Sequence, residues 1–261
     1  MGSTVPPPTE MQTLLHELGS PAAAHQSQSE VSLAAGPFAV REGVVTELRA
    51  YSQSGRVSVD GDTVTQQLGR GRTAEYSLGQ LAAHSKDPEF FANTMRYAAQ
   101  TGDSVNIDVR GGHSNVVDPT LEQRLPRDFP FRNEIMHASV KHNLDPLILA
   151  AVGEQESGMG KGVNYDAVTK LGADKTGHGM WQMDESAHSL ADCIRAGNDP
   201  MFAADRAAEQ LAQGIQDHGF AKGIQDYNAA NSALPYYEKI VNQAAQIESG
   251  MTMGRSVELT R

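Results

Sequence analysis

The chain has 261 residues, enough for one large domain or two modest ones, and a formal net charge of −11. That charge argues against nucleic acid, whose phosphates call for clustered Lys and Arg. No apolar run reaches the ~18 residues of a membrane span, and the single Cys193 excludes an internal disulfide framework.

Aromatic residues are scarce while Ala and Gly are plentiful, which predicts small and largely helical cores. The fold class expected is mainly α, with a helical C-terminal domain preceded by a small α+β or helical module. Cys193 reads as a small helical filler, since no nucleophile pattern surrounds it.

Residues 1–36 are rich in Pro, Ser, Ala, Gln and Gly and read as a flexible arm, with one short amphipathic helix over Met11–Leu18. The first residues, Met1 to Pro8, show no basic start followed by an apolar stretch, so no standard secretory signal is expected. Such a protein is made in the cytoplasm, and it reaches any outside target through a dedicated machine or on cell lysis.

Residues 37–113 read as a small α+β module. Val44–Tyr51 and Gln80–His84 predict helices, and Arg56–Thr65 predicts a hairpin whose apolar residues alternate on either side of Asp60-Gly61. Val105–Val109 alternates in the same way and predicts a strand. The role of this module is not legible. Residues 114–130, with three prolines and mixed charge, read as a linker to a domain over 131–250, and 251–261 read as a tail.

Four Asp-Pro pairs punctuate the chain: Asp87-Pro88, Asp118-Pro119, Asp145-Pro146 and Asp199-Pro200. Asp caps the free N–H groups of a helix start, and Pro at the first helical position loses no hydrogen bond. Three of the pairs precede helical runs that end near Gly102, Gly158 and Gly219. In the last run, Phe202, Ala204, Ala208, Leu211 and Ile215 recur at helical spacing and predict core packing.

The segment Leu144–Gly158 carries the chemistry. Glu156 follows Ile148, Leu149 and Val152 by eight, seven and four residues, which places it on their apolar face. Glu154 lies about 200° around the helix and points away. A carboxyl against apolar side chains loses hydration of its charged form, so its pKa is expected to rise, as a general acid requires. A glutamate that only bonds backbone at a helix end has the same spacing.

The stretch Gly177–Asp184 follows a Gly-rich loop, and Glu185–His188 follows that. Trp181, the only tryptophan, is either core or a face for stacking a sugar. Asp184 either positions water opposite Glu156 or caps a helix starting near Glu185. Asp184 and His188 are four residues apart, but no third ligand accompanies them, so no metal site and no cofactor is expected.

Three ordered stretches are Glu154–Gly158, then Gly177–Asp184 with His188, then Asp226–Ala230 with Tyr237. Together they resemble the motifs of goose-type lysozymes and soluble lytic transglycosylases, across residues 131–248. The resemblance implies a lysozyme-like helical domain with Glu156 as the catalytic acid and Asp184 as a water-positioning aspartate. It implies a cleft floor at Gly179, Met180 and Gln182, further substrate contacts at Ser157, Trp181 and His188, and Tyr227 and Asn228 against the catalytic glutamate. Asp174 is the nearest match to a second aspartate of the family, one residue out of register.

Two departures stand out. Ala230 replaces a usual Gly, which would tighten the cleft near Asn228, and Trp181 replaces a common Met, which would alter a subsite. Neither removes a proton donor. The activity implied is cleavage of the β-1,4 bond between N-acetylmuramic acid and N-acetylglucosamine, by hydrolysis or transglycosylation. Peptidoglycan glycan strands are then the partner, reached in the periplasm or cell wall. An injected effector with an immunity protein, a secretion-machine enzyme and a phage lysis or entry protein all fit that setting. The alternative is a structural or glycan-binding component that keeps the lysozyme fold without turnover. The acidic balance sits awkwardly with an anionic wall, although net charge bears on steering more than on chemistry.

Overall fold

The computed structural model describes residues 51–161, 177–228 and 235–258. The arm over 1–36, Asp174, Ala229, Ala230 and all but the last residue of the helix expected over Val44–Tyr51 lie outside the described residues, and Tyr51 opens a strand.

The chain opens with β1 (Tyr51–Asp60), β2 (Thr63–Gly69) and β3 (Arg72–Ser77), then α1 (Leu78–Ala83) and α2 (Pro88–Thr101). β4 (Ser104–Arg110), β5 (His113–Val117) and α3 (Pro119–Glu122) follow. The antiparallel sheet has the order β3-β2-β1-β4-β5. The expected Asp-Gly hairpin forms, with Asp60 paired to Thr63 and Gly61 at φ +57°. β1 changes partner along its length, pairing β4 over Tyr51–Arg56 and β2 over Val57–Asp60. The change needs Gly55, since a Cβ there would lie 1.8 Å from the Gln67 carbonyl oxygen.

One face of the sheet buries Val57, Val64, Tyr76, Val105, Ile107 and Val109 against Leu81, Phe91 and Met95 of α1 and α2. α2 has a second role. Its Tyr97 is buried in the core of the helices that follow, so the module and the helical part share packing.

Those helices are α4 (Arg132–His142), α5 (Pro146–Ser157), α6 (Leu190–Asn198), α7 (Pro200–His218), α8 (Phe220–Tyr227) and α9 (Tyr236–Glu258). A two-stranded hairpin, β6 (Gly177–His178) and β7 (Met183–Asp184), lies between α5 and α6. Nine helices and a small antiparallel sheet among the described residues make the protein mainly α.

All four Asp-Pro pairs start helices. Asp87, Asp118, Asp145 and Asp199 each accept a hydrogen bond from a backbone N–H of the helix they precede. α2, α5 and α7 end at Gly102, Gly158 and Gly219 as the punctuation predicts.

The stretch 114–130 is not a spacer. Ser114–Val117 belong to β5, while Leu121 and Leu125 are buried in the helical core. Arg124 pairs with Asp145 and stands 3.7 Å from Glu248. Prolines and charges alone do not reveal a segment whose Leu121 and Leu125 are buried in a core built by distant helices. The tail reading also gives way, because α9 continues to Glu258. No helix among the described residues is long and apolar enough to cross a membrane.

Asp118 carries a cost. Its Oδ1 accepts from the N–H groups of Thr120 and Leu121 at 2.9 and 3.0 Å. Its Oδ2 is buried with no hydrogen-bond partner among the described residues. Burial, helped by the nearby Asp103 and Glu122 charges, pushes the carboxyl up to about 6 against the pull of those N–H groups. Folding therefore favours the protonated form, so this contribution is full below the unfolded pKa near 4 and is lost as pH rises through about 6. Asp118→Asn keeps the capping oxygen without the charge. It is expected to gain roughly 1–2 kcal/mol on the wild type between pH 4 and pH 7, read from paired thermal melts. Parallel melting curves at both pH values would refute this account.

Candidate active site

The site is assembled on α5. Asp145 caps it by accepting from the Leu147 N–H at 2.8 Å, and Pro146 to Gly153 are all buried, so the helix is seated along its length. Its last turn brings Glu156 to a half-buried position, while Gly158 in the left-handed region ends the helix.

Two other segments converge on the Glu156 carboxylate. Asn228, at the C-terminal cap of α8, directs its Nδ2 to the two carboxylate oxygens at 3.2 and 3.4 Å. Tyr236, the first residue of α9, donates its hydroxyl to Oε1 at 2.5 Å. The expected surroundings of Glu156 were apolar. The structure instead gives the carboxylate these polar neighbours, contributed by helices whose approach a helical-wheel reading cannot anticipate.

Tyr227 completes the group. Its ring lies parallel to that of Tyr236, with centroids 6.4 Å apart, and its hydroxyl donates to the Trp181 carbonyl at 3.0 Å. Burial, and after it the Glu156 charge, raises both phenol pKa values well above the usual range, so both hydroxyls stay protonated donors.

The β6–β7 hairpin lies against α5 through buried contacts. Ser157 Oγ donates to the Met180 carbonyl at 2.6 Å and accepts from the Gly160 N–H at 2.8 Å. The Trp181 indole N–H donates to the Leu149 carbonyl at 3.0 Å. A Cβ on Gly153 would lie 3.0 Å from that indole nitrogen, which accounts for a glycine inside α5. Ser157, Met180 and Trp181 are thus buried supports of the hairpin. Their side chains are buried, and Trp181, part of the core, also borders the cavity that holds Asp184. Gly179 has φ +68°, and a Cβ there would lie 2.6 Å from the Ala196 carbonyl oxygen. Gln182, at φ +50°, donates its Nε2 to the Gly179 carbonyl at 2.6 Å.

Asp184 ends β7. Its Oδ1 accepts from the Ser186 N–H at 2.7 Å, and its carbonyl accepts from the N–H groups of Ala187 and His188. It organises a turn. The next helix, α6, starts only at Leu190 and is capped by Ser189, so Asp184 caps no helix. Asp184, Gln182 and His188 line a cavity of about 90 Å³ with Tyr227, Ala207 and Gln210. Tyr227 is therefore the link between the two carboxylates: it borders the cavity of Asp184 and stacks on the tyrosine that holds Glu156.

Three contributors escaped the sequence reading. Tyr237 packs its ring against Phe220, while the neighbour that reaches Glu156 is Tyr236. The signal was present, because Tyr236, Ile240 and Ala244 recur every fourth residue and are all buried. His178 is fully buried and pairs with Glu185 Oε1 at 2.7 Å. Gln210 follows Ala203 and Ala207 along the cavity face of α7. Asp226 turns to Lys222 and His218, whose contacts hold its carboxyl below the usual range.

No group of three His, Cys, Asp or Glu placed to hold a metal occurs among the described residues. Fold and site together define a mainly helical protein with a half-buried, hydrogen-bonded glutamate at a helix end, beside a small polar cavity. No family model matches the chain, and no curated protein matches it.

Proposed function

We propose that this protein is a glycosidase of lysozyme-like fold that cleaves the glycan strands of peptidoglycan. The observation that carries the reading is the Glu156 carboxyl, half-buried and held by Asn228 and Tyr236. Glu156 protonates the leaving glycosidic oxygen. The Asn228 and Tyr236 donors then stabilise the carboxylate that proton transfer leaves behind, and they fix its direction throughout.

Asp184, across Tyr227, positions the water that attacks the opposite face of the sugar, and hydrolysis then inverts the anomeric centre. If the C6 hydroxyl of the muramic acid attacks in place of water, the product is an anhydro sugar. The position of Asp184 at the cavity rim supports the first course.

Mass spectrometry of purified peptidoglycan digested by the wild type and by Glu156→Gln tests the reading. Reducing muropeptides from the wild type alone identify a muramidase, and anhydro products identify a transglycosylase. If neither protein releases fragments, the glycosidase reading fails and a glycan-binding role replaces it.

A further inference from the structure

The β6–β7 hairpin carries Asp184 at its open end, where Gly177 and Asp184 stand opposite each other. Its tip is anchored to α5, through Ser157 on the Met180 carbonyl and the Trp181 indole on the Leu149 carbonyl. Both anchors act at the tip, and Asp184 lies at the other end.

A His–Glu contact ties that open end. The His178 side chain is fully buried, and its Nε2 lies 2.7 Å from Glu185 Oε1. His178 stands opposite Met183, and Glu185 is two residues further on, so the contact runs diagonally across the hairpin. A carboxylate only accepts, so Nε2 carries the proton of this bond.

The two partners are unequal. The imidazole is enclosed, whereas the Glu185 side chain is 43% exposed and would sample several rotamers without a partner. Holding its carboxylate restrains the peptide between Glu185 and Ser186. That peptide supplies the Ser186 N–H, which donates to Asp184 Oδ1 at 2.7 Å. The N–H groups of Ala187 and His188 close the same turn on the Asp184 carbonyl, both at 3.1 Å. A chain of contacts thus runs from the buried ring to Glu185, to one backbone N–H, and to one oxygen of Asp184. Both its ends, His178 and Asp184, border the cavity of about 90 Å³.

We propose that His178 is a positioning residue: through Glu185 and the Ser186 N–H it holds the Asp184 carboxylate toward the attacking water. The role rests on the glycosidase reading. In that reaction the water oxygen bonds to C1 of the muramic acid, and one water proton passes to Asp184. The C1–O bond to the leaving sugar breaks as Glu156 protonates its oxygen. When Asp184 is not held, the muramic C6 hydroxyl bonds to C1 in place of water and gives its proton to the Glu156 carboxylate. His178 therefore sets the ratio of reducing to anhydro products without touching the sugar, because a small misplacement of Asp184 slows only the attack by water.

Mass spectrometry of peptidoglycan digested by the whole protein, paired with amide hydrogen exchange, tests this. Glu185→Ala and His178→Phe are each expected to lower the ratio of reducing to anhydro muropeptides about tenfold. Glu185→Gln keeps an oxygen for the Nε2 proton and is expected to restore most of the wild-type ratio. A ratio of products does not depend on the fraction of protein folded, so lost stability alone leaves it unchanged. Exchange of the Ser186, Ala187 and His188 amides should quicken about tenfold in Glu185→Ala, with or without substrate. Glu185 is partly exposed, so this variant serves even where His178→Phe fails to fold. Fragments in an unchanged ratio, or unchanged exchange, overturn the role of His178 alone, as does a Glu185→Gln protein that behaves like Glu185→Ala. If the wild type releases no fragments, the glycosidase reading fails and the catalytic role of His178 with it, whereas quickened exchange still establishes its tie to Asp184.

Discussion

Glu156→Gln is expected to lower muropeptide release by about a thousandfold, because a positioned general acid contributes roughly 10²–10⁴ to such a reaction. The glutamine side chain has the same length and can place its carbonyl where Oε1 accepts the Tyr236 hydroxyl at 2.5 Å. Its amide then faces the Asn228 Nδ2, which loses its longer contact at 3.4 Å. Losing one hydrogen bond at a half-buried site costs about 1 kcal/mol, far less than the rate effect. Release and thermal melting measured on the same preparations separate the two. Near-normal release by a folded Glu156→Gln protein would mean that the proton comes from another group.

Gly223→Ala is expected to act on both stability and activity, although Gly223 touches no part of the site. α7 and α8 approach so closely that a Cβ on Gly223 would lie 2.3 Å from the Ile215 backbone nitrogen and 2.4 Å from the Gly214 carbonyl carbon. These are backbone atoms, so no rotamer change relieves the contact, and the helices must part. Alanine favours a helix over glycine by about 1 kcal/mol, but the overpacking costs roughly 2–3 kcal/mol and wins. The melting midpoint should fall by about 5 °C. α8 ends at Tyr227, and its cap residue Asn228 donates to the Glu156 carboxylate. A displacement of about 1 Å there should cost up to a hundredfold in release. An unchanged midpoint would show that the two helices tolerate separation, and the close-packing account would fall.

Much of the fold was legible because its signals are local. The hairpin at Asp60-Gly61, the strand over Val105–Val109 and the Asp-Pro starts of α2, α5 and α7 are set by residues within a few positions of one another. The stretch 114–130 was illegible for the opposite reason. Leu121 and Leu125 gain meaning only from the helical core they enter, and Arg124 only from Asp145 and Glu248, both distant in sequence.

The site divides along the same line. Sequence by itself determined that Glu156 ends an apolar helix, that Gly158 stops it, and that a glycine-rich turn and an aromatic-asparagine pair follow in order. Periodicity and backbone conformation are enough for that, since both are fixed by neighbours along the chain. Only the tertiary structure decided that Tyr236 and not Tyr237 reaches the carboxylate, and that the hairpin rests on Leu149 and Ser157 of α5 through its own Trp181 and Met180. Those outcomes depend on how three helices and a hairpin pack around one carboxylate, where a rotation of a single residue along α9 exchanges a hydrogen-bond donor for a half-buried ring packed on Phe220.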